Sequence, residues 1–128
     1  MDEQEAKLIS PLRLAHVGDT VWDLLVRSRF FQMGKNVHHM HLLAIGCVNA
    51  GAQAKAAARI LPLLTDTEAD LLRRGRNANA HHPSPKNQNP ADYAAATGLE
   101  TLMGYLYITG QDDRIKMLFE IGLEDANA

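Results

Sequence analysis

Two acidic residues lie beside glycine or other small residues within helical stretches that are otherwise apolar. Asp19 follows Gly18 in "LRLAHVGDTVWDLLVR", and Glu100 lies one turn before Gly104 in "TGLETLMGYLY". Glycine inside a helix costs about 1 kcal/mol relative to alanine unless another backbone must approach closely. If the two glycine surfaces meet, the two carboxylates converge with no basic residue nearby in sequence on either face. Such a pair either shares a proton or binds a cation such as Mg²⁺.

The carboxylate of Asp19 is expected to be at least half withdrawn from water, because its neighbours one and two turns away are apolar. These neighbours are Leu12, Ala15, Trp22 and Val26. An unpaired charge in such surroundings costs several kcal/mol, so something must compensate it. The alternative to a metal site is that Asp19 and Glu100 pair separately with Arg or Lys from elsewhere in the chain.

Capping and stop signals indicate the helices that must position these residues. Three predicted helices precede residue 62: Pro11 to about Arg29 after Ser10, Val37 to about Gly46 after Asn36, and Ala50 to Leu61 after Asn49, with Pro62 closing the third. A Thr65–Glu68 capping box begins a fourth helix. The last two run from Pro90 after Asn89 to Ile108, with Gly110 ending that helix, and over 114–123 after Asp112 or Asp113. No alternating pattern of strand type is present, and 76–91 has the composition of an exposed loop. The predicted fold class is therefore all-α, a compact domain of about six to seven helices.

The composition fits a single domain over residues 1–128 with an ordinary hydrophobic core. Hydrophobic residues make up 46% and charged residues 22%, and no apolar run approaches the roughly 20 residues that span a bilayer. The acidic start MDEQEAK differs from a signal peptide, and the single Cys47 fits a reducing compartment, so we expect a cytoplasmic protein. The net charge is -2, but residues 51–90 are basic between acidic termini, which is compatible with a nucleic-acid partner.

Five motifs resemble those of the ribonuclease III family. "LAHVGDTVWDLLVR" (14–27) is similar to the family's signature helix, which carries an L-G-D-x-x-x-E/D core, and "TGLETLMGYLY" (97–107) is similar to its second acidic helix. Three further motifs resemble those of one small branch, the Mini-III ribonucleases: "VNAGAQAKA" (48–56), "RRGRNA" (73–78) and "PKN" (85–87). The resemblance covers residues 12 to about 119, with the motifs in the same order and at similar spacing.

The resemblance implies an all-helical endonuclease that works as a homodimer, binds Mg²⁺ and cuts both strands of double-stranded RNA. It implies no separate double-stranded-RNA-binding domain, and it associates the chain with the maturation of large-subunit (23S-type) ribosomal RNA. By the same resemblance, Asp19 and Glu100 match the metal-binding, catalytic aspartate and glutamate of the family. The carboxylates in apolar helical surroundings and the glycines beside them then have one explanation.

Two positions depart from the pattern of the larger family members, and a third departs from that of the small branch. Ala15 and Thr97 replace further acidic residues one turn before the two carboxylates, as the small branch also tends to do. Fewer protein ligands predict weaker or more water-rich metal binding. Asp23 stands where the branch more often has glutamate, so it keeps the charge but reaches less far.

The residue types that read the minor groove of A-form RNA are Lys, Arg, Asn, Gln and Ser, and several of them lie between the two acidic helices. The candidate RNA-contacting residues are Gln53, Lys55, Arg59, Arg73, Arg74, Arg76, Asn77 and Lys86. Arg76, Asn77 and Lys86 rank highest because they also fall in family motifs. The alternative for each is an ordinary solvated side chain, and Arg76 or Asn77 can instead anchor the loop.

Other interpretations compete with the Mg²⁺-dependent endonuclease. A non-catalytic double-stranded-RNA-binding or assembly module of the same fold is disfavoured, because both acidic residues are present. A helical nucleotide pyrophosphatase requires an E-x-x-E pair, which Glu100 lacks. A zinc cluster from the histidines is disfavoured because no Cys or His pair has zinc-finger spacing; these histidines are His38, His39, His41, His81 and His82. The aromatic side chains Trp22, Tyr105 and Tyr107 are expected in the core.

Overall fold

The computed structural model describes residues 1–78 and 86–123, and these residues form helices and short connections without a strand. The helices are α1 (Glu3–Lys7), α2 (Pro11–Gln32), α3 (Val37–Val48), α4 (Ala50–Ile60), a 3₁₀ turn (Leu61–Leu63), α5 (Asp66–Ala78), α6 (Pro90–Ile108) and α7 (Asp112–Gly122). The predicted all-α class, with about six to seven helices, is confirmed within these ranges. None of the helices is both long enough and apolar enough to cross a bilayer.

Most of the predicted helix starts are confirmed by their caps. The side chains of Asn36, Asn49 and Asn89 each accept a hydrogen bond from a backbone N–H in the first turn of the helix that follows. Thr65 and Glu68 form the reciprocal capping box, with distances of 3.2 and 2.9 Å between backbone nitrogen and side-chain oxygen. Ser10 precedes α2 without a side-chain cap, so Pro11 alone marks that start.

Several boundaries differ from the sequence predictions. Helix α2 extends one turn further to Gln32, and α5 continues to Ala78, into the stretch predicted as a loop. Of the rest of that predicted loop, residues 79–85 lie outside the described residues, 86–89 form a turn, and Pro90 begins α6. Helix α7 already begins at Asp112, so its two aspartates form the first turn and do not cap it. The five-residue α1 was not predicted, because a single buried residue, Ala6, leaves no apolar period to detect.

Helix α6 forms the centre of the domain, and α2, α4 and α5 surround it. Its Leu99, Leu102, Met103 and Leu106 are completely buried. A helix that is apolar on nearly every face is expected at the centre of a domain. The second acidic helix of the sequence is therefore held on several sides.

The aromatic residues of the core fix α2 against α3 and α7. The Trp22 ring packs edge to face on Phe119 with 5.1 Å between the ring centroids, and its Nε1 donates to the carbonyl of Cys47 at 3.1 Å. Tyr105 is also buried, as expected. The same expectation for Tyr107 is wrong, because this residue is 55% exposed on the outer side of α6.

A buried ion pair holds α7 against α5. Arg114 donates to both carboxylate oxygens of Glu68, at 2.8 and 2.7 Å, and also to the carbonyl of Leu63. Burial raises the pKa of Glu68, but the hydrogen bonds from Arg114 and Thr65 outweigh it, so the pKa lies below its usual value. Glu68 thus serves both as a helix cap and as an interhelical contact.

Glycines allow the two acidic helices to cross at backbone contact. A Cβ atom at Gly18 would overlap the carbonyl oxygen of Glu100 and lie 2.8 Å from the nitrogen of Gly104. A Cβ atom at Gly104 would in turn overlap the carbonyl oxygen of Leu14. The condition that the two glycine surfaces meet is therefore fulfilled, and it determines where the two acidic side chains lie.

Candidate active site

The crossing of α2 and α6 brings the side chains of Asp19 and Glu100 together. Asp19 follows the glycine that touches the Glu100 carbonyl, and its carboxyl group interacts with that of Glu100 by a hydrogen bond and by charge. The Gln53 side chain of α4 is also hydrogen-bonded to the Glu100 carboxyl group. Three helices thus supply one cluster of two carboxyl groups and an amide.

The surroundings of Glu100 favour its uncharged form. Burial is the largest cause that raises the pKa of the Glu100 carboxyl, and the hydrogen bond and negative charge of Asp19 raise it further. The hydrogen bond from Gln53 lowers this pKa. The result is a pKa of about 8. Among the described residues, no ion pair to Glu100 offsets this cost. The carboxyl group therefore holds a proton at neutral pH unless a cation takes its place.

Asp19 itself is exposed, which differs from the withdrawal from water expected from its sequence neighbours. Of those neighbours, Leu12 is 40% exposed and does not cover the carboxylate. The partly buried member of the pair is Glu100. One carboxyl group thus faces solvent while the other is held by the protein.

The donor set fits a magnesium ion that keeps part of its water shell. Ala15 and Thr97 are buried one turn before the two carboxylates and add no acidic oxygen, and Thr97 Oγ1 donates to the carbonyl of Tyr93 at 3.0 Å. Across residues 1–78 and 86–123, no three His, Cys, Asp or Glu side chains are grouped closely enough to hold a metal. Mg²⁺ is usually bound by one or two carboxylates together with water and substrate phosphates, which is the arrangement available here.

Asp23, one turn beyond Asp19, is engaged in another interaction. Both of its carboxylate oxygens accept from Arg27 Nε at 3.1 Å. This exposed ion pair between residues four apart is typical of a helix surface.

The candidate RNA-contacting residues occupy two kinds of environment. Lys55, Arg73, Arg76, Asn77 and Lys86 are exposed, and Arg73 also pairs with the exposed carboxylate of Asp70. The remaining three are less exposed and have partners within the chain: Gln53 at Glu100, Arg59 at the carbonyl of Gly122, and Arg74 at the carbonyl of Lys7. Lys55 and Arg59 also line an open cleft of 680 Å³ between α3, α4, α6 and α7.

The link between Gln53 and the acidic pair is a feature that the sequence predictions missed. Gln53 is only 4% exposed, so it lies in the core and not on the surface expected for an RNA contact. The signal was present in the spacing, because Gln53 shares one face of α4 with the buried Ala56, Ala57 and Ile60. Of the histidines, His38, His39 and His41 are exposed on α3, whereas His81 and His82 lie outside the described residues.

Comparison with known proteins places this geometry in context. The Ribonuclease III domain family matches residues 12–111. The Mini-ribonuclease 3 of Symbiobacterium thermophilum is 42% identical over 113 residues, covering 88% of this chain and 86% of that protein. The Mini-ribonuclease 3 of Gloeobacter violaceus is 42% identical over 112 residues, covering 88% and 82%. A crystal structure of a Fusobacterium nucleatum protein superposes with a TM-score of 0.82 at 26% identity, covering 92% of this chain and 94% of that one.

Proposed function

The chain belongs to the ribonuclease III family and is a ribonuclease, and we propose that it cuts both strands of double-stranded RNA with Mg²⁺ held by Asp19 and Glu100. The observation that carries the proposal is the approach of the two carboxyl groups at a glycine-lined helix crossing, where no basic side chain within the described part of the chain pairs with Glu100. Two such carboxyl groups are suited to bind a divalent cation.

The two carboxyl groups have different tasks in this proposal. Asp19 and Glu100 would hold Mg²⁺ at this position, where it would neutralise phosphate charge and make a bound water a stronger nucleophile. The exposed Asp19 is accessible from the substrate side, whereas Glu100 is held from behind by Gln53. Glu100 must release its proton before it can serve as a ligand, so cation binding and proton loss are coupled at this residue.

The RNA surface is proposed to include the exposed Lys55, Arg76, Asn77 and Lys86. Cationic and amide side chains of this kind contact the phosphates and 2′-hydroxyls of an A-form duplex. The cations Arg59, Arg73 and Arg74 rank second, because contact with RNA requires them to exchange partners within the chain. The proposed substrate is a precursor of large-subunit ribosomal RNA, and the proposed location is the cytoplasm.

Cutting two strands requires two sites, and residues 1–78 and 86–123 of one chain supply one acidic pair at a helix crossing, so a homodimer is part of the proposal. Apolar side chains that a partner could cover lie along α2 and at the adjacent end of α6. Val21, Leu24, Leu25 and Tyr107 line a largely apolar surface depression of 210 Å³, which we name the Leu24 patch. An isologous dimer would bury this patch twice about one two-fold axis.

The test is the cleavage of a long perfect RNA duplex by purified protein in Mg²⁺ and in chelator. We expect Glu100→Gln and Asp19→Asn to lower the cutting rate by more than about 100-fold while duplex binding in chelator is retained. Asp113→Asn, which removes an exposed acid of α7, serves as the matched control and should cut normally. If wild-type protein binds the duplex but does not cut it with any divalent metal, the non-catalytic RNA-binding or assembly module replaces the endonuclease.

A further inference from the structure

Gln53 is a buried polar side chain that reaches the acidic pair from a third helix. It is 4% exposed, on the face of α4 that packs against α6. A buried amide costs free energy unless its hydrogen bonds are made, and within the described part of the chain no buried side-chain nitrogen or oxygen lacks a partner. The partner that Gln53 meets at this position is the Glu100 carboxyl group.

We propose that Gln53 is a positioning residue that orients Glu100 for metal binding. In this role the amide of Gln53 holds the Glu100 carboxyl group by a hydrogen bond from the side of α4. The inference rests on the proposed function, because it assigns Gln53 to the same site. Groups that hold a metal ligand in this way change metal affinity by about 10–100-fold when they are removed.

The position of Gln53 separates this role from contact with RNA. Lys55, two residues further along α4, points to the opposite side of the helix and is exposed. A side chain that neutralises phosphate needs this exposure, whereas a side chain that orients a ligand needs burial and a fixed hydrogen bond. The two residues therefore make a matched pair on one helix.

The experiment compares Gln53→Met, which keeps the length but removes the amide, with Lys55→Met. The Mg²⁺-induced rise in melting temperature measures metal binding independently of activity. The Mg²⁺ concentration for half-maximal cutting measures metal binding in the working enzyme. Fluorescence anisotropy in chelator measures duplex binding. We expect Gln53→Met to need about tenfold or more Mg²⁺ in the first two measurements, with duplex binding unchanged. Lys55→Met should show the reverse: weaker duplex binding and an unchanged response to Mg²⁺.

A second variant protects the test against loss of folding. Gln53→Asn keeps the amide but withdraws it by one methylene, so it should also weaken the response to Mg²⁺. If Gln53→Met melts below the assay temperature, Gln53→Asn alone tests the positioning role. The positioning role alone is overturned if a folded Gln53 variant depends on Mg²⁺ as the wild type does. It is also overturned if the variant binds the duplex more weakly and its response to Mg²⁺ is unchanged. A wild-type protein with neither Mg²⁺-induced stabilisation nor cutting overturns the proposed function as well.

Discussion

The acidic pair shows how one residue can be costly for folding and necessary for binding. Glu100 lies in surroundings that disfavour its charge, and the ionisable group that interacts with it, Asp19, is also acidic. A hydrogen bond from Gln53 holds the carboxyl group, but no basic side chain of residues 1–78 and 86–123 forms an ion pair with it. The metal-free protein therefore carries a strain that a bound cation would relieve.

This cost should be visible in how stability depends on pH. The pKa of Glu100 is about 8 in the folded chain against the ordinary 4.5, so the folded state binds more protons between these values. The free energy of unfolding should therefore fall through Glu100 as the pH rises from about 5 to about 9. We expect Glu100→Gln to melt near wild type at about pH 5 and clearly above it at about pH 9 in chelator.

Thermal melts of the two proteins in parallel provide the check. Titrating groups away from the site contribute equally to both proteins, so the difference between their melting temperatures reports Glu100 together with its interaction with Asp19. A difference that is constant across this pH range would show that Glu100 titrates normally in the folded chain. Adding Mg²⁺ at high pH should reverse the order by stabilising only the wild type.

At the scale of elements, the site depends on how closely α2 approaches α6. Gly18 and Gly104 allow direct backbone contact, and a single methyl group at Gly18 would overlap the Glu100 carbonyl. Two helices packed through side chains have axes 8–10 Å apart on average, so the smallest residue at the crossing sets the geometry of the carboxyl groups. Small residues at this crossing are thus part of the site although they perform no chemistry.

We predict that Gly18→Ala destabilises the protein by more than about 3 kcal/mol or prevents folding, because the overlapping atoms belong to the backbone of a central helix. Chemical denaturation measures the change. Gly46→Ala is the matched control, since a Cβ atom at this helical position meets nothing within 4 Å. The control should gain up to about 1 kcal/mol from helix propensity. An unaffected Gly18→Ala protein would mean that the two helices can separate freely.

The elements also show what the sequence could and could not predict. The caps at Asn36, Asn49 and Asn89 were predictable because a cap involves residues two or three apart. The glycines of α2 and α6 indicated close packing, so the approach of the two acidic residues was also predictable. The partners of Gln53 and Arg59 were not, because each lies on another helix far away in sequence and both residue types are common on surfaces.

At the scale of the whole molecule, the proposed reaction requires more than one chain. A single domain of this size presents one acidic pair, whereas double-strand cutting needs one pair on each strand. Leu24 is 63% exposed and Tyr107 is 55% exposed, and both line the Leu24 patch, which lies partly on α2, the helix that carries Asp19. A dimer through this patch would join the two sites through α2, so that assembly and activity become linked.

We therefore predict that Leu24→Glu shifts the protein from a dimer to a monomer, because dimerisation would otherwise bury the new charge. Sedimentation equilibrium measures the mass, and gel analysis of a duplex labelled on both strands measures whether the two cuts occur together. The variant should lose coupled double-strand cutting and keep its helical content. Leu8→Glu is the matched control, since Leu8 is the same residue type and is 86% exposed, but it follows α1 and does not line the patch. A Leu24→Glu protein that stays dimeric would place the interface elsewhere. A wild-type monomer that cuts both strands would show that cutting does not require a dimer.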